Sequence, residues 1–246
     1  LVNNATLVSN RLEGELRAQA LMKVATRMSS LIYCFPFVRA VFISGSLSKG
    51  VVPKDADIDY FIVTKKNRLW IARTLLVIFK RVCLLGSKRY FCVNYFVDEE
   101  HMEVPDKNVF TATEVVTLIP MQGDSFSVAF LKSNTWYKNY FPNFCLNKVN
   151  VPSLSFIKRC SILLLEPLFF HRLAERLDKY FMKKTYKRWT TLYNQGYTKK
   201  EFELAFRTHR GTSKNHDKNY QKRVLNTVEE NVKKAFGRIK SERVNG

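Results

Sequence analysis

Phe42-Ile43-Ser44-Gly45-Ser46-Leu47-Ser48-Lys49-Gly50 and, after a short polar turn, Asp55-Ala56-Asp57-Ile58-Asp59-Tyr60-Phe61-Ile62-Val63 form the segment on which fold and chemistry both depend. The β-branched and aromatic run Val38 to Ile43 reads as a short buried strand. Small residues from Ser44 to Gly50 then make a turn, and Val51-Val52-Pro53-Lys54 makes a second one. Asp57 to Val63 reads as the next strand. Carboxylates at i and i+2 of a strand point to one face, so Asp57 and Asp59 lie close together. Like charges held that near each other repel unless a cation sits between them. Mg²⁺ suits such a pair, because it takes one or two carboxylates together with phosphate oxygens and water. Upstream, Gly45 lets the backbone come near a ligand, and successive N–H groups of the turn make an anion nest to which the Ser46 hydroxyl adds a donor. An anion-binding turn beside metal-binding carboxylates is the equipment of Mg²⁺-dependent nucleotide chemistry.

Working outward, residues 11 to 32 carry Leu12, Leu16, Ala20, Met22, Val24 and Met28 near a helical stripe, which Phe35-Pro36 ends. Asn67 to Leu85 has helical length, with Asn67 as the expected cap and Gly86-Ser87 as the break. Tyr90 to Val97 reads as a third strand. Beyond Pro105 the pattern changes to helices, at 111 to 119, 124 to 139, 154 to 190 and 217 to 240. The expectation is an α+β catalytic domain over 1–105, a mixed sheet with flanking helices, followed by a helical and strongly basic domain over 106–246.

The composition narrows the class. With 246 residues, 46% of them hydrophobic and 25% charged, a globular core is expected rather than disorder. Lys plus Arg number 41 against 21 Asp plus Glu, a net charge of +20 that attracts polyanions. From His171 onward there are 20 basic and 8 acidic residues, so much of the excess lies in this stretch. Five scattered cysteines make neither a disulfide framework nor a zinc site and suit reduced thiols. The polar opening Leu1-Val2-Asn3-Asn4 is unlike a secretory leader, and the apolar runs 69–79 and 162–170 are too short to span a bilayer. A cytoplasmic location without a transmembrane segment is the expectation.

A hydrophobic-Gly-Ser, ten intervening residues and Asp-hydrophobic-Asp-hydrophobic resembles the signature of the DNA polymerase β-like nucleotidyltransferase superfamily. Gly45-Ser46-Leu47-Ser48-Lys49-Gly50 is similar to the Gly-Ser-x-Ala-Arg-Gly turn of minimal nucleotidyltransferases, with Ser48 and Lys49 in place of Ala and Arg. The match covers about 41 to 63 and extends to about 98. It implies a nucleotidyltransferase-like sheet, metal ions (Mg²⁺ or Mn²⁺) on Asp57 and Asp59, and the phosphates of a nucleoside triphosphate, ATP in first place, on Gly45 and Ser46. Lys49 adds charge near those phosphates or lies in solvent. The implied reaction is attack of an acceptor (nucleic acid, protein or phosphorylated small molecule) on the α-phosphorus, with release of pyrophosphate. Family sites add a third carboxylate on a later strand. Alternation puts Cys92, Asn94, Phe96 and Asp98 on one face, so the candidates are Asp98, then Glu103, or none. Without one, the alternative is a catalytically silent module of the same fold that binds nucleic acid or an acidic partner.

Two further segments have readings of their own. In 171 to 190, Arg172, Arg176, Lys179, Lys183 and Lys187 share one helical face, which is a solvated surface or a polyanion groove. Phe170, Leu173, Leu177 and Phe181 fall on another, and Tyr180, Tyr186 and Trp189 either stack on bases or pack. His209, His216 and Asp217 read as a polar loop before the last helix, and Glu166-Pro167 as a helix kink or start.

Overall fold

Hydrophobic residues at both phases of Val38 to Ile43 need cover on two faces, and the computed structural model supplies it. The structure describes residues 5–87, 89–145, 156–167, 169, 171–193, 196–215 and 220–244. Helix α1 (Ala5–Cys34) leads into strand β1 (Val38–Ser44), the single-turn helix α2 (Gly45–Ser48), strand β2 (Asp59–Thr64), helix α3 (Leu69–Cys83) and strand β3 (Cys92–Asp98). Then come α4 (Val109–Thr117), β4 (Ile119–Gln122), α5 (Asp124–Ser133) and a 3₁₀ turn, Thr135–Asn139. The remainder comprises α6 (Phe156–Cys160), a π turn (Ser161–Leu165), α7 (His171–Tyr193), α8 (Lys199–Ala205), the hairpin β5 (Thr208–His209) and β6 (Thr212–Lys214), and α9 (Tyr220–Val244).

The strands form one mixed sheet in the order β4-β1-β2-β3-β6-β5. Only β2 and β3 are parallel, joined by the α3 crossover; the other pairs are antiparallel. One face carries Val41, Ile43, Tyr60, Ile62 and Phe96, covered by residues of α1, α3 and α7. The other carries Ala40, Phe42, Phe61 and Val63, where Phe130 of α5 packs tilted against Phe42 and edge-on against Phe61 at ring separations of 5.9 and 5.0 Å. No helix among the described residues is long and apolar enough to cross a membrane.

Several expectations are corrected here. The division at 105/106 does not follow the sheet, because β4, β5 and β6 come from the half expected to be helical. These strands were hidden for a physical reason. All three are short: β4 with Pro120 and the polar β5 are edge strands, where a missing donor or a polar side chain is tolerated, and β6, three residues between β3 and β5, lacks the apolar pattern of a strand. The buried stripe of α1 is Gly14, Ala18, Ala25, Ser29 and Ile32, whereas Leu12 and Leu16 are exposed. Small residues win because the 51–52 turn packs directly on the helix. A Cβ at Gly14 would come within 2.7 Å of Val51, Val52 N–H donates to Gly14 O at 3.1 Å, and Arg17 Nε donates to Val52 O at 3.0 Å. This clamp holds the loop that leads to Asp57.

Asn67 does not cap α3; its φ is +57° and Arg68 takes the cap position. The cap comes from α7 instead. Asp178 Oδ1 accepts from the N–H groups of Trp70 and Ile71 at 2.9 and 3.0 Å. Burial pushes the Asp178 carboxyl up to about 6, against the pull of those two N–H groups. Trp189 lies in the core, with the Arg73 guanidinium 4.8 Å over its ring and 5.7 Å over that of Trp70, while Tyr180 and Tyr186 are exposed. Of the face expected to be apolar, Leu173 is exposed; Ala174, Asp178 and Trp189 are the buried positions, and Phe170 lies outside the described residues. Asp178→Ala is expected to cost about 1–2 kcal/mol in urea unfolding by orphaning two helix N–H groups. Asp178→Asn keeps the accepting oxygen and should cost clearly less.

Candidate active site

The site is built where β1 ends and β2 begins. Ser44 is the β1 partner of Asp59, so the chain leaves β1 beside the first residue of β2. Gly45 turns the backbone with φ +69°, and the Gly45–Ser48 turn closes on itself, Ser48 Oγ donating to Gly45 O at 2.9 Å. A Cβ at position 45 would stand 2.5 Å from Asp59 Oδ2. Positive φ and absence of side-chain room both demand glycine here. Ser46 sits half-buried on the turn.

Asp57 precedes β2 rather than lying within it, but the segment is already extended. Ile58 between the two aspartates is fully buried, and its N–H and C=O bond to Arg89 O and Cys92 N on either side of the β3 start. Asp57 and Asp59, both half-buried, therefore flank one inward residue and share the opposite side. Asp59 Oδ1 accepts from Asn94 Nδ2 at 2.6 Å, and the Cys92 thiol donates to Asn94 Oδ1 at 3.1 Å. Burial raises the Asp59 carboxyl to about 7, against the lowering hydrogen bond from Cys92. The negative charges of Asp57 and Glu114 add to the rise, and Lys49 opposes it. The same burial and the same two aspartates push the Cys92 thiol up to about 12, so it remains a donor.

Lys49 bends back over the turn. Its Nζ donates to Gly45 O at 2.9 Å and to Glu114 Oε1 of α4 at 2.8 Å. Glu114 is the site residue that sequence reasoning missed, since no spacing links an acid in a helix to a motif that ends fifty residues earlier. Asp98 does not join the site. A register shift in the β2–β3 pairing leaves Asn94 as an extra residue between Val93 and Tyr95. Beyond that bulge the alternation is out of phase with Cys92, and Phe96 packs on the face covered by α1, α3 and α7. Asp98 pairs with Thr64, five residues along β2 from Asp59 and roughly 17 Å away. There it is fully buried, accepting from the Glu100 and His101 N–H groups at 3.1 and 3.0 Å and lying 2.6 Å from His101 Nδ1. Glu103 pairs with Lys107 at the surface. His209 belongs to β5, its carbonyl accepting from Trp70 Nε1; His216 and Asp217 lie outside the described residues.

The donor set fits a divalent cation of the Mg²⁺ kind. Among the described residues no three His, Cys, Asp or Glu side chains are grouped to cage a metal. A carboxylate pair in which the charge of Asp57 raises the proton affinity of Asp59, beside an open turn, still matches an ion that draws its other ligands from phosphate and water. Comparison with protein-family models, with curated proteins and with solved structures returns no match.

Proposed function

We propose that the protein is a metal-dependent nucleotidyltransferase that moves a nucleoside monophosphate from a triphosphate, ATP in first place, to an acceptor and releases pyrophosphate. The observation that carries this reading is the seating of the Asp59 carboxylate under Gly45, where a methyl group would come within 2.5 Å of it. That closeness of Asp59 to the turn supports a reading in which one triphosphate meets both the carboxylates and the turn N–H groups. Asp57 and Asp59 would hold Mg²⁺ or Mn²⁺, which would offset phosphate charge. Gly45 and Ser46 would grip the β- and γ-phosphates. Lys49 would exchange its Glu114 partner for phosphate oxygen, freeing the Glu114 carboxylate of α4. Asn94 orients Asp59 through its amide and takes no proton, so a base for the acceptor must come from Asp57, Asp59 or Glu114. Catalysis by such residues rests on positioning and charge.

Asn94 in the place of an acid favours a second reading, a silent module of this fold that binds nucleic acid or an acidic partner. Calorimetric titration with each nucleoside triphosphate, with and without Mg²⁺ or Mn²⁺, separates the two. Binding should need metal and weaken at least about a hundredfold in an Asp57→Ala, Asp59→Ala variant. Triphosphate binding that ignores both changes would sink the metal site. Strongly salt-dependent nucleic-acid binding without metal-dependent nucleotide binding would favour the second reading.

A further inference from the structure

Residues 156–166 are packed inside out. The side chains that this segment buries are the polar and charged ones: Lys158 at 1% exposure, Ser161 at 4% and Glu166 at 8%. Lys158 Nζ donates to Val38 O and Phe35 O at 2.6 and 2.9 Å, which ties α6 to the start of β1. Glu166 ties the other end, accepting both Arg39 guanidinium nitrogens at 2.8 and 2.7 Å and the Phe37 N–H at 2.8 Å. With both ends pinned by charge, the large apolar side chains turn outward. Phe156 is 79% exposed, Ile157 62%, Leu163 71%, Leu164 67% and Leu165 44%. Single exposed leucines are ordinary; five large apolar side chains facing solvent within ten residues mark a surface that water is not meant to cover.

Charge decides what covers it. Arg159 lies exposed among these residues, and α7, starting at His171, exposes Arg172, Arg176, Lys183 and Lys187 with Leu173 and Tyr180 interspersed. An apolar segment followed by a basic amphipathic face is the composition of a helix that lies in a membrane interface, with apolar groups among the upper acyl chains and cations at anionic headgroups. The segment is too short to span. A nucleic acid would use the cations but not the leucines.

We propose that residues 156–165, together with the exposed basic face of α7, dock the protein on an anionic lipid surface. This is independent of the nucleotide chemistry. The probe is co-sedimentation of the full chain with phosphatidylcholine vesicles and with vesicles containing about one third phosphatidylserine. Wild type should bind the anionic vesicles and bind neutral ones much more weakly. Leu163→Ser, Leu164→Ser and Leu165→Ser together should weaken that binding at least about tenfold, with the thermal midpoint unchanged because these side chains are already exposed. Arg172→Gln, Arg176→Gln and Lys183→Gln should weaken it about fivefold per charge removed. The proposal falls if wild type ignores anionic vesicles or if the leucine variant binds them equally. It falls too if light scattering shows a dimer that the serines dissociate without any vesicle binding. Binding of single-stranded RNA in the absence of vesicle binding overturns it as well.

Discussion

Asp59→Asn should make the protein more stable at pH 8 while it removes metal-dependent triphosphate binding. The Asp59 carboxyl rises from 3.8 to about 7 in the folded protein, with burial as the largest cause. Between these values the folded state holds a proton that the unfolded chain has lost, so stability falls as pH rises from about 4 to about 7 and levels off above it. For this half-buried group the loss is about 2–4 kcal/mol, reduced by solvent screening from the full effect of the shift. Asparagine removes the charge and keeps an oxygen for the Asn94 amide, so the variant should gain that amount at pH 8 and show a flatter pH dependence. Wild type should recover part of the difference in Mg²⁺, which binds only the folded state. Urea unfolding at pH 5 and pH 8, with and without Mg²⁺, reads all of this. A variant less stable than wild type at pH 8 would mean that the carboxylate serves the fold and not a ligand.

Glu166→Ala should be the most damaging single change outside the core, at about 3–5 kcal/mol by urea unfolding. It strips Arg39 of a bidentate partner, leaves the Phe37 N–H without its acceptor where φ is +66°, and takes a carboxylate 3.7 Å from Lys65 Nζ. Burial alone would raise the Glu166 carboxyl, but the bonds from Arg39 and Phe37 and the charge of Lys65 outweigh it and hold the group below its usual value. Its contribution is therefore fully present above the unfolded value of 4.5 and is lost as pH falls through the lower folded value. The gap between wild type and variant should close in acid. Lys158, which burial lowers to about 7, is held up in part by Glu166, so the variant should shed that ammonium proton earlier still. Equal stability of the two proteins at pH 7 would remove this clamp from the account.

Which features were legible follows from how far each one reaches along the chain. The β1–turn–β2 segment is local: small residues at 44–50 and alternation at 57–63 are properties of neighbours, and Gly45 meets Asp59 because one hairpin brings them together. Asp98 misled because alternation presumes an unbroken strand, and the single extra residue at Asn94 puts everything beyond it out of phase. Glu166 reads as a helix kink because its hydrogen-bond partners lie 127 to 129 residues away.

By itself the sequence determined the glycine-serine bend, the paired aspartates, the order of the first three strands and the strong positive charge, all set by side-chain type and short-range periodicity. Only the tertiary structure decided that Glu114 and Lys49 meet at that bend, that Asp178 caps a helix more than a hundred residues earlier in the chain, and that β4 and the β5–β6 hairpin complete the sheet. It also decided that 156–165 turns its leucines outward. Buried charges find their partners wherever the fold brings them, so the Lys158 bonds to backbone carbonyls and the Glu166–Arg39 ion pair, rather than hydropathy, set which face of that segment meets the outside.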